Sequence, residues 1–333
     1  MATITSSIGT TGRTYSTIAA WVASLPANLV TAGNSYVGEC YNDSQFTETG
    51  VTFSGHTTDS THTITLTAAA GQSFADNAGK LTNALKYDQT KGVGWTCSNS
   101  YGQLLAIADN FVTVSRLQMK ETSNNTQFTI FDTGSSFTIS QCIVQSVPRN
   151  NYNLLYLESG SKAVNCLIIF VGTGSYGAAC VRGNNGAFLA ECTLVLPTGL
   201  GGTIIPINSS YGNNLLVKNT AFFGFGADCL GTYSASSSNN CTDRATAPGS
   251  SNQVSKTYAN QFQDASNASQ DFRLKTGADC INNGVTDTTY NPAAVDIVGT
   301  SRPQGAAWDI GAWELVAAAA TYRQRVIRWS ATR

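Results

Sequence analysis

The sequence predicts an all-β fold, a right-handed, single-stranded parallel β-helix with a capping α-helix at its N-terminal end and a loop-rich cap at its C-terminal end. Two observations predict it. A short pattern recurs about every 25 residues, with cysteine at the same place in three successive copies. Short apolar runs alternate with clusters of Ser, Thr, Asn and Gly, and the chain has only seven prolines, which is typical of many short strands joined by turns.

The recurring pattern is an apolar residue, two mostly polar residues and then a small or apolar residue. Its last position is occupied in turn by Leu117, Cys142, Cys166, Cys192 and Thr220. The steps between them are 25, 24, 26 and 28 residues, a suitable length for one turn of a β-solenoid. Because stacked strands lie about 4.8 Å apart, we expect these five side chains to form an inward-facing column.

Each turn carries a second apolar run some way before the column residue. These runs are residues 104–107, 128–131, 154–157, 179–181 and 204–207. Gly, Ser and Asn clusters separate them from the column, as expected for turns. The sequence therefore predicts two strands and two turns in each coil.

An amphipathic helix is predicted near the N-terminus, within residues 15–25. Ile18, Trp21, Val22 and Leu25 have helical spacing, Ser16 or Thr17 can cap the first turn, and Pro26 ends the segment. A solenoid end exposes its core and needs such a cover. The predicted organisation is an N-terminal arm and capping helix over 1–33, β-helix coils over 34–225, a loop-rich C-terminal β cap over 226–316, and a tail over 317–333.

Composition and charge exclude several classes of partner and site. Only 12% of the 333 residues are charged and the net charge is −1, so neither nucleic acid nor an anionic membrane is an expected partner. The chain starts without a basic segment and an apolar run, and we therefore expect synthesis in the cytoplasm without a secretory signal. Nine cysteines without CxxC pairs, beside two histidines, favour buried free thiols over disulfides or a zinc site.

We predict no catalytic, cofactor-binding or metal-binding residues. The acidic side chains of the central coils fall at different places of the repeat, so we interpret them as turn residues; they are Asp109, Glu121, Asp132, Glu158 and Glu191. The basic residues are equally dispersed. His56 and His62 lie near Asp59 in a polar segment, but they have no convincing third partner for a metal, and a surface loop is the preferred interpretation.

The C-terminal region contains Asp271-Phe-Arg-Leu274, Gly277-Ala-Asp-Cys-Ile-Asn-Asn-Gly284, Arg302-Pro-Gln-Gly305 and Asp309-Ile-Gly-Ala-Trp-Glu314. This series resembles the C-terminal signature of right-handed parallel β-helix proteins of the pectate-lyase-like superfamily. The first part of the chain, from the predicted helix at Tyr15 through Gly55-His-Thr-Thr-Asp-Ser-Thr-His62 to the strand at residues 63–67, also looks like β-helix proteins carried by tailed bacteriophages and their marine relatives. The physical interpretation of the signature is a closing cap: Asp309 and Glu314 accept hydrogen bonds from turn amides, Gly311 lies between them, and Trp313 covers the last coil.

The tail after residue 316 is basic and aromatic and contains no acidic residue. One interpretation is a frayed, solvated chain end. The alternative is an arm that docks on a partner, because its apolar side chains would otherwise be exposed to water. Its proposed docking residues are Tyr322, Arg323, Arg325, Arg328, Trp329 and Arg333.

These features together predict a non-enzymatic structural protein of a bacteriophage virion, foremost a capsid decoration or head-fibre component, with a tail-associated spike as a variant. Its expected partners are other capsid or tail proteins, and the resemblance to phage spikes adds a homotrimer and a host surface glycan. The alternative is a β-helix that binds or degrades polysaccharide, such as a tailspike depolymerase, lyase or hydrolase. Fold alone does not decide between them.

Overall fold

The structure is a computed structural model that describes residues 1–98, 103–122, 128–146, 153–172, 178–210 and 214–316. The described chain is nearly all β-structure and forms a parallel β-solenoid of about seven turns, as predicted. The strands are β1 (Ala2–Ile8), β2 (Asn34–Cys40), β3 (Val51–Phe53), β4 (Ile64–Ala68), β5 (Gly94–Cys97), β6 (Leu105–Ile107), β7 (Val112–Ser115), β8 (Gln118–Glu121), β9 (Phe128–Asp132), β10 (Thr138–Ser140), β11 (Ile143–Ser146), β12 (Asn153–Leu157), β13 (Lys162–Val164), β14 (Leu167–Phe170), β15 (Ala179–Gly183), β16 (Phe188–Ala190), β17 (Thr193–Val195), β18 (Ile205–Ser209), β19 (Leu216–Lys218), β20 (Ala221–Phe223), β21 (Leu230–Gly231), β22 (Cys241–Thr242), β23 (Phe262–Asp264) and β24 (Asp271–Leu274).

Three parallel sheets form the walls of the solenoid. Sheet A has eight strands in the order β1-β2-β4-β7-β10-β13-β16-β19. Sheet B has the order β22-β20-β17-β14-β11-β8-β5, and sheet C has the order β21-β18-β15-β12-β9-β6-β3. One turn of the central solenoid therefore runs through a strand of sheet A, then sheet B, then sheet C, and each strand pairs with its equivalent in the next turn.

Each central coil thus contains three strands, and the prediction of two was wrong. The recurring pattern covers two strands, one in sheet A and one in sheet B. In the coil of β7 and β8 they are separated only by Arg116, which has φ 61°, and Leu117. Because a single residue with left-handed backbone turns the corner, the sequence pattern looks like one continuous strand.

The N-terminal end carries the predicted helix. Helix α1 (Ile18–Ala23) begins after Thr17, whose side chain accepts a hydrogen bond from the Ala20 amide. Its buried face includes Trp21, which contacts Phe53 of β3 edge to face at a centroid distance of 6.1 Å. A second, short helix α2 (Leu29–Ala32) follows. The helices lie at the start of the solenoid, where they cover its core.

The predicted N-terminal arm is also part of the solenoid. Strand β1 pairs with β2 along its whole length, from Ala2 opposite Asn34 to Ile8 opposite Cys40. Most of β1 is solvent-exposed. Its Thr, Ser and Ile composition suits a strand, but its weak apolar content concealed that strand in the sequence.

The solenoid continues beyond residue 225, where the prediction ended it. Strand β21 pairs with β18 and strand β22 pairs with β20. A further coil follows, in which Ser250 pairs with Ser238 and Gln253 pairs with Cys241. The polar Ser and Asn composition therefore marks short strands with many turns in this part of the chain.

Residues 257–316, which we call the C-terminal flank, pack along the side of the solenoid, mainly on the outer face of sheet B and, around residues 287–290, beside sheet A. This position differs from the predicted cap over the end of the solenoid. The flank contains a 3₁₀ turn (Tyr258–Asn260), the antiparallel pair β23 and β24, and otherwise irregular chain. Together with the loop 69–93 it forms a second hydrophobic cluster on the outer side of sheet B.

The C-terminal flank lies against sheet B because both faces of this sheet are apolar. Ile168 of β14 belongs to the inner core, whereas its neighbours Leu167 and Ile169 belong to the outer cluster. Continuous apolar runs of this kind are typical of strands buried on both faces. The outer face of sheet B therefore needs a cover, and the C-terminal flank provides it.

Candidate functional site

The predicted column residues lie at one position of successive coils. The pairings of β7 with β10, and of β8 with β11, bring Leu117 and Cys142 into equivalent places, and the later coils continue the series. All five side chains are at most 1% exposed; they are Leu117, Cys142, Cys166, Cys192 and Thr220. They line the inside of the corner between sheets A and B.

The thiols of this column are held by backbone carbonyls. The Cys142 thiol donates to the Ser140 carbonyl at 3.3 Å, and the Cys166 and Cys192 thiols contact the carbonyls two residues before them at the same distance. The Thr220 hydroxyl makes the corresponding bond at 3.0 Å. Burial raises the pKa of the Cys142 and Cys192 thiols well above the ordinary value. A protonated, buried thiol is a poor nucleophile, so these cysteines serve packing.

A second column of side chains, which we call the corner column, was not predicted from the sequence. Its residues directly precede the inward column and have φ between 48° and 61°; they are Arg116, Gln141, Asn165, Glu191 and Asn219. Several of them reach the C-terminal flank: the Gln141 amide donates to the Asp296 carbonyl at 3.0 Å, and the Asn165 amide to the Val295 carbonyl at 2.8 Å. The available signal was asparagine at two of these positions, since asparagine tolerates the left-handed region.

Glu191 is the most unusual member of the corner column. It is fully buried, its Oε1 accepts a 3.3 Å hydrogen bond from Asn219, and its Oε2 has no hydrogen-bond partner within the described chain. Burial raises the pKa of Glu191 to about 8, against an opposing effect of Arg302. Asp287 lies nearby and forms an ion pair with Lys218 at 3.2 Å. Both acidic side chains are buried where the flank covers the corner column, so they do not form an open reaction site.

The signature residues Asp309 and Glu314 accept hydrogen bonds from backbone amides. Asp309 accepts from the amides of Asn282 at 2.8 Å and Leu315 at 2.7 Å. Glu314 accepts from the amides of Gln304 at 2.8 Å and Asp309 at 3.0 Å. Burial raises the pKa of Asp309 to about 6. Both carboxylates therefore organise the turns of the flank.

The other two signature residues place the segment against the side of the solenoid. Gly311, with φ 106°, donates from its amide to the Asn219 carbonyl at 2.8 Å, and an added Cβ would lie only 2.7 Å from Thr193. Trp313 is 4% exposed and packs in the cluster over sheet B. The expectation that Trp313 covers the last coil was therefore wrong, because the outer face of sheet B is the apolar surface that this segment buries.

Arg302 binds the signature together; the sequence placed it in the signature, but its role there was not predicted. Its side chain is completely buried. One terminal nitrogen, Nη1, contacts the Asp309 carbonyl at 2.7 Å and the Glu314 carboxylate at 3.2 Å. The other, Nη2, donates to the Gly311 carbonyl at 2.6 Å and to Asn165 at 3.4 Å. Only arginine offers several fixed donors of this kind.

The acidic residues of the central coils do not converge on one open site within the described chain. Asp109 binds His56, with 2.6 Å between Oδ2 and Nδ1, so His56 is partly buried against this carboxylate. Asp132 is buried and accepts hydrogen bonds from the amides of Gly134 at 3.1 Å and Glu158 at 2.8 Å. Burial raises the pKa of Asp132 to about 6. Glu121 is also buried.

The strongest candidate for a functional surface is an aromatic cluster on the outer face of sheet C. The register places Phe131, Tyr156 and Arg182 next to one another on β9, β12 and β15. Phe128 stacks on Phe131 at a centroid distance of 4.6 Å, and Phe131 lies 5.3 Å from Tyr156. The Arg182 guanidinium lies 5.3 Å from the Tyr156 ring. We call these four residues the aromatic cluster.

A polar edge accompanies the aromatic cluster. The Asn184 side-chain amide contacts the Tyr156 hydroxyl and both Glu158 carboxylate oxygens, each at 2.8 Å. Partly exposed aromatic faces beside amide and carboxylate groups suit the stacking and hydrogen bonding of a flat, hydroxyl-bearing ring. The sequence signal was present, because Phe131 and Tyr156 are 25 residues apart and so occupy the same place of the repeat.

Other classes of site receive no support from the described residues. All nine cysteines are free. Across the described ranges, no three side chains among His, Cys, Asp and Glu are arranged to hold a metal ion. No helix in these ranges has the length and apolar character needed to cross a membrane. The predicted docking tail, residues 317–333, lies outside the described residues.

Comparison of the chain with models of known protein families, with curated proteins and with solved structures gives no match. The fold and the surfaces described above therefore carry the functional interpretation.

Proposed function

We propose that the protein is a non-enzymatic structural component of a bacteriophage particle, with the β-solenoid as its rigid body. A capsid decoration or head-fibre protein is the preferred role, and a tail-associated spike is the variant. The phage assignment depends on the resemblance of the Asp309–Glu314 signature and of the first part of the chain to phage β-helix proteins. In this proposal the protein is made in the host cytoplasm and joins other capsid or tail proteins in the virion.

The proposal that the protein is not an enzyme rests on one observation: the acidic side chains of the central coils are buried or bound to other residues of the protein. Asp132 and Glu191 are buried, Asp109 is bound to His56, and Glu158 is bound by Asn184. Polysaccharide hydrolysis requires two carboxyl groups that face the same bond. Of these four acidic residues of the described coils, only Glu158 is both partly exposed and next to the aromatic cluster. A single carboxylate cannot supply the two groups that hydrolysis needs.

The test is mass spectrometry of phage particles purified on a density gradient, combined with a cleavage assay on the isolated protein. We expect the chain at a fixed copy number per particle and no new reducing or unsaturated ends in host polysaccharide. Detection of the chain only in the soluble lysate would contradict the particle role. Cleavage of polysaccharide by the pure protein would favour the depolymerase alternative.

The second candidate function is non-catalytic polysaccharide binding, which the aromatic cluster favours. Rings on a sheet face can stack on sugar rings and contribute about 0.5–1.5 kcal/mol each beyond their buried area. We expect Tyr156→Ala to reduce binding of host polysaccharide about ten-fold in isothermal titration calorimetry. Unchanged affinity of this variant would remove the cluster from consideration.

A further inference from the structure

The N-terminal end of the solenoid has a free strand edge. Strand β1 lies at one end of sheet A and, among the described strands, pairs only with β2. Ser7 turns its carbonyl away from β2, because that carbonyl accepts a hydrogen bond from the Tyr15 amide at 3.0 Å. Backbone groups of a strand point alternately to its two edges, so Thr3 and Thr5 face the same way as Ser7. Their amides and carbonyls have no backbone partner in the described chain.

This edge lacks the features that usually protect an exposed strand. Natural sheets tend to end in short strands or in strands that carry charge or proline. Strand β1 has seven residues without charge or proline, whereas β10, β13 and β16 inside the same sheet have three each. At the opposite end of the solenoid, sheet C ends in the two residues of β21, and sheets A and B end in single bridged residues. Among the described strands that end a sheet, only β1 is long.

The surface beside β1 is neutral and made of small or apolar side chains. Helix α1 exposes its three alanines, Ile4 of β1 is 40% exposed and Val30 of α2 is 39% exposed. Arg13 is the only charged side chain among residues 1–33, and it is bound by Asp43 at 3.1 Å. Exposed apolar side chains around an unpaired edge mark an interaction surface. Two copies of this surface meet without like-charge repulsion between side chains and without burying an unpaired one.

We propose that two copies of the protein associate through β1, antiparallel about a two-fold axis, so that sheet A continues from one copy into the other. An axis at Ile4 places Thr3 opposite Thr5 of the partner subunit, and each such pair exchanges two hydrogen bonds. A second copy fits because a two-fold interface needs a self-complementary edge. No other end strand of the described chain matches β1 in length, and a neutral edge offers no charge to select a different protein.

This inference does not depend on the particle assignment, and a two-fold contact at one end of the solenoid differs from a trimer along its sides. The experiment measures the mass of the full chain by sedimentation velocity and light scattering over a concentration series. We expect a concentration-dependent dimer with twice the monomer mass of 35.1 kDa. Its dissociation constant should change little at high salt, because salt screens charge pairs and none holds this interface.

Variants assign the association to the β1 edge. Thr5→Pro removes an outward amide and keeps the bonds to β2, since edge strands tolerate proline where the N–H faces solvent; we expect at least ten-fold weaker dimerisation. Thr5→Val keeps the amide and should change the dissociation constant less than two-fold. Ile4→Lys brings two like charges together at the axis and should weaken the dimer ten-fold or more. The matched control is Leu230→Lys at the opposite end, where Leu230 is 47% exposed, and it should have no effect.

An engineered disulfide tests the register of the two strands. Ile4→Cys should form a linked dimer under mild oxidation, because facing Cβ atoms lie about 4.5–5.5 Å apart. Ser6→Cys alone should stay unlinked, because residue 6 faces Ala2 of the partner subunit. A mixture of Ser6→Cys and Ala2→Cys should cross-link. Wild type, whose nine cysteines are free, gives the background.

Three results would overturn the proposal. One is a wild-type monomer throughout the series up to millimolar concentration; if deletion of residues 317–333 then produced a dimer, the edge would belong to the tail of the same chain. Another is an oligomer whose affinity is unaffected by Thr5→Pro and Ile4→Lys, with circular dichroism showing both variants to be folded. The third is a dimer in which Ile4→Cys does not cross-link, which would contradict the antiparallel pairing.

Discussion

The buried Arg302 offers a sharp test of how the C-terminal flank is attached. We consider Arg302→Met, which keeps much of the aliphatic volume and removes all the donors. The substitution leaves the Asp309 and Gly311 carbonyls without the bonds that they now accept at 2.7 and 2.6 Å. It also removes the cation beside Glu314, a side chain that is 1% exposed. The local structure must then hold a buried carboxylate without its counter-charge.

The expected cost follows from these contacts. Removing one partner of a buried ion pair costs about 3–5 kcal/mol. Glu314 keeps its hydrogen bonds from the Gln304 and Asp309 amides, so we expect the loss of the ion pair to cost about 3 kcal/mol, the lower end of this range. Two carbonyls that lose their donors add about 1 kcal/mol each, so we expect about 4–5 kcal/mol in total. Adding Glu314→Gln to Arg302→Met should recover part of this loss, because it removes the uncompensated charge.

Urea unfolding measures the effect. Trp308 and Trp313 are buried in the flank and Trp21 and Trp95 in the solenoid, so tryptophan fluorescence compared with circular dichroism separates detachment of the flank from global unfolding. Limited proteolysis should cut the variant first within residues 257–316. The control is Arg244→Met: Arg244 pairs with Asp228 at 3.0 Å on the surface, and its loss should cost at most about 1 kcal/mol. A cost below 1 kcal/mol for Arg302→Met would show that the buried Arg302–Glu314 pair does not hold the flank in place.

Three further predictions concern pH, the cysteine column and the tail. Burial raises the pKa of Glu191 from 4.5 to about 8. Between these pH values the folded state keeps a proton that the unfolded state has lost. The free energy of unfolding therefore falls as pH rises from 4.5 to about 8. Glu191→Gln should therefore match wild type near pH 4.5 and exceed it by about 1–3 kcal/mol at pH 8.5 in thermal unfolding; equal pH profiles would contradict this. Cys166→Ser should lower the free energy of unfolding in urea by only about 1–2 kcal/mol, because a hydroxyl can donate to the carbonyl two residues earlier, as that of Thr220 does. Thiol reagents should leave the column cysteines unlabelled until the protein unfolds. Rapid labelling in the folded state would disprove their burial. Deleting residues 317–333 should abolish association with particles in co-sedimentation while the circular dichroism spectrum stays unchanged, and undiminished co-sedimentation would rule out a docking tail.

The features that the sequence predicted well are those that repeat or that use strong local signals. The column from Leu117 to Thr220 could be found because one inward slot is filled in every coil, and a repeat makes the same physical requirement visible several times. Helix α1 was predictable because Thr17 is a strong N-cap and the apolar side chains follow helical spacing.

The missed features depend on backbone conformation or on contacts between distant parts of the chain. The third strand per coil was missed because a single left-handed residue such as Gln141 makes a corner without any Gly or Pro signal. The side position of the flank required knowledge that Leu167 and Ile169 face away from the core. A buried cluster such as Arg302 with Asn165, which are 137 residues apart, leaves no periodic trace in a single sequence.

The aromatic cluster was missed for a related reason. Phe131 and Tyr156 look like core residues until the register shows that they face outward. A surface site on a solenoid is built from residues of successive coils, which are neighbours in space but lie far apart in the sequence.

The most direct test of the particle role is a cryo-electron microscopy reconstruction of the intact phage. The eight strands of sheet A, stacked at about 4.8 Å, should appear as a rigid rod of about 34 Å with three flat walls and a flank on one of them, fixed at defined positions on the capsid or tail. The absence of such density from particles whose other proteins are all accounted for would contradict the proposal.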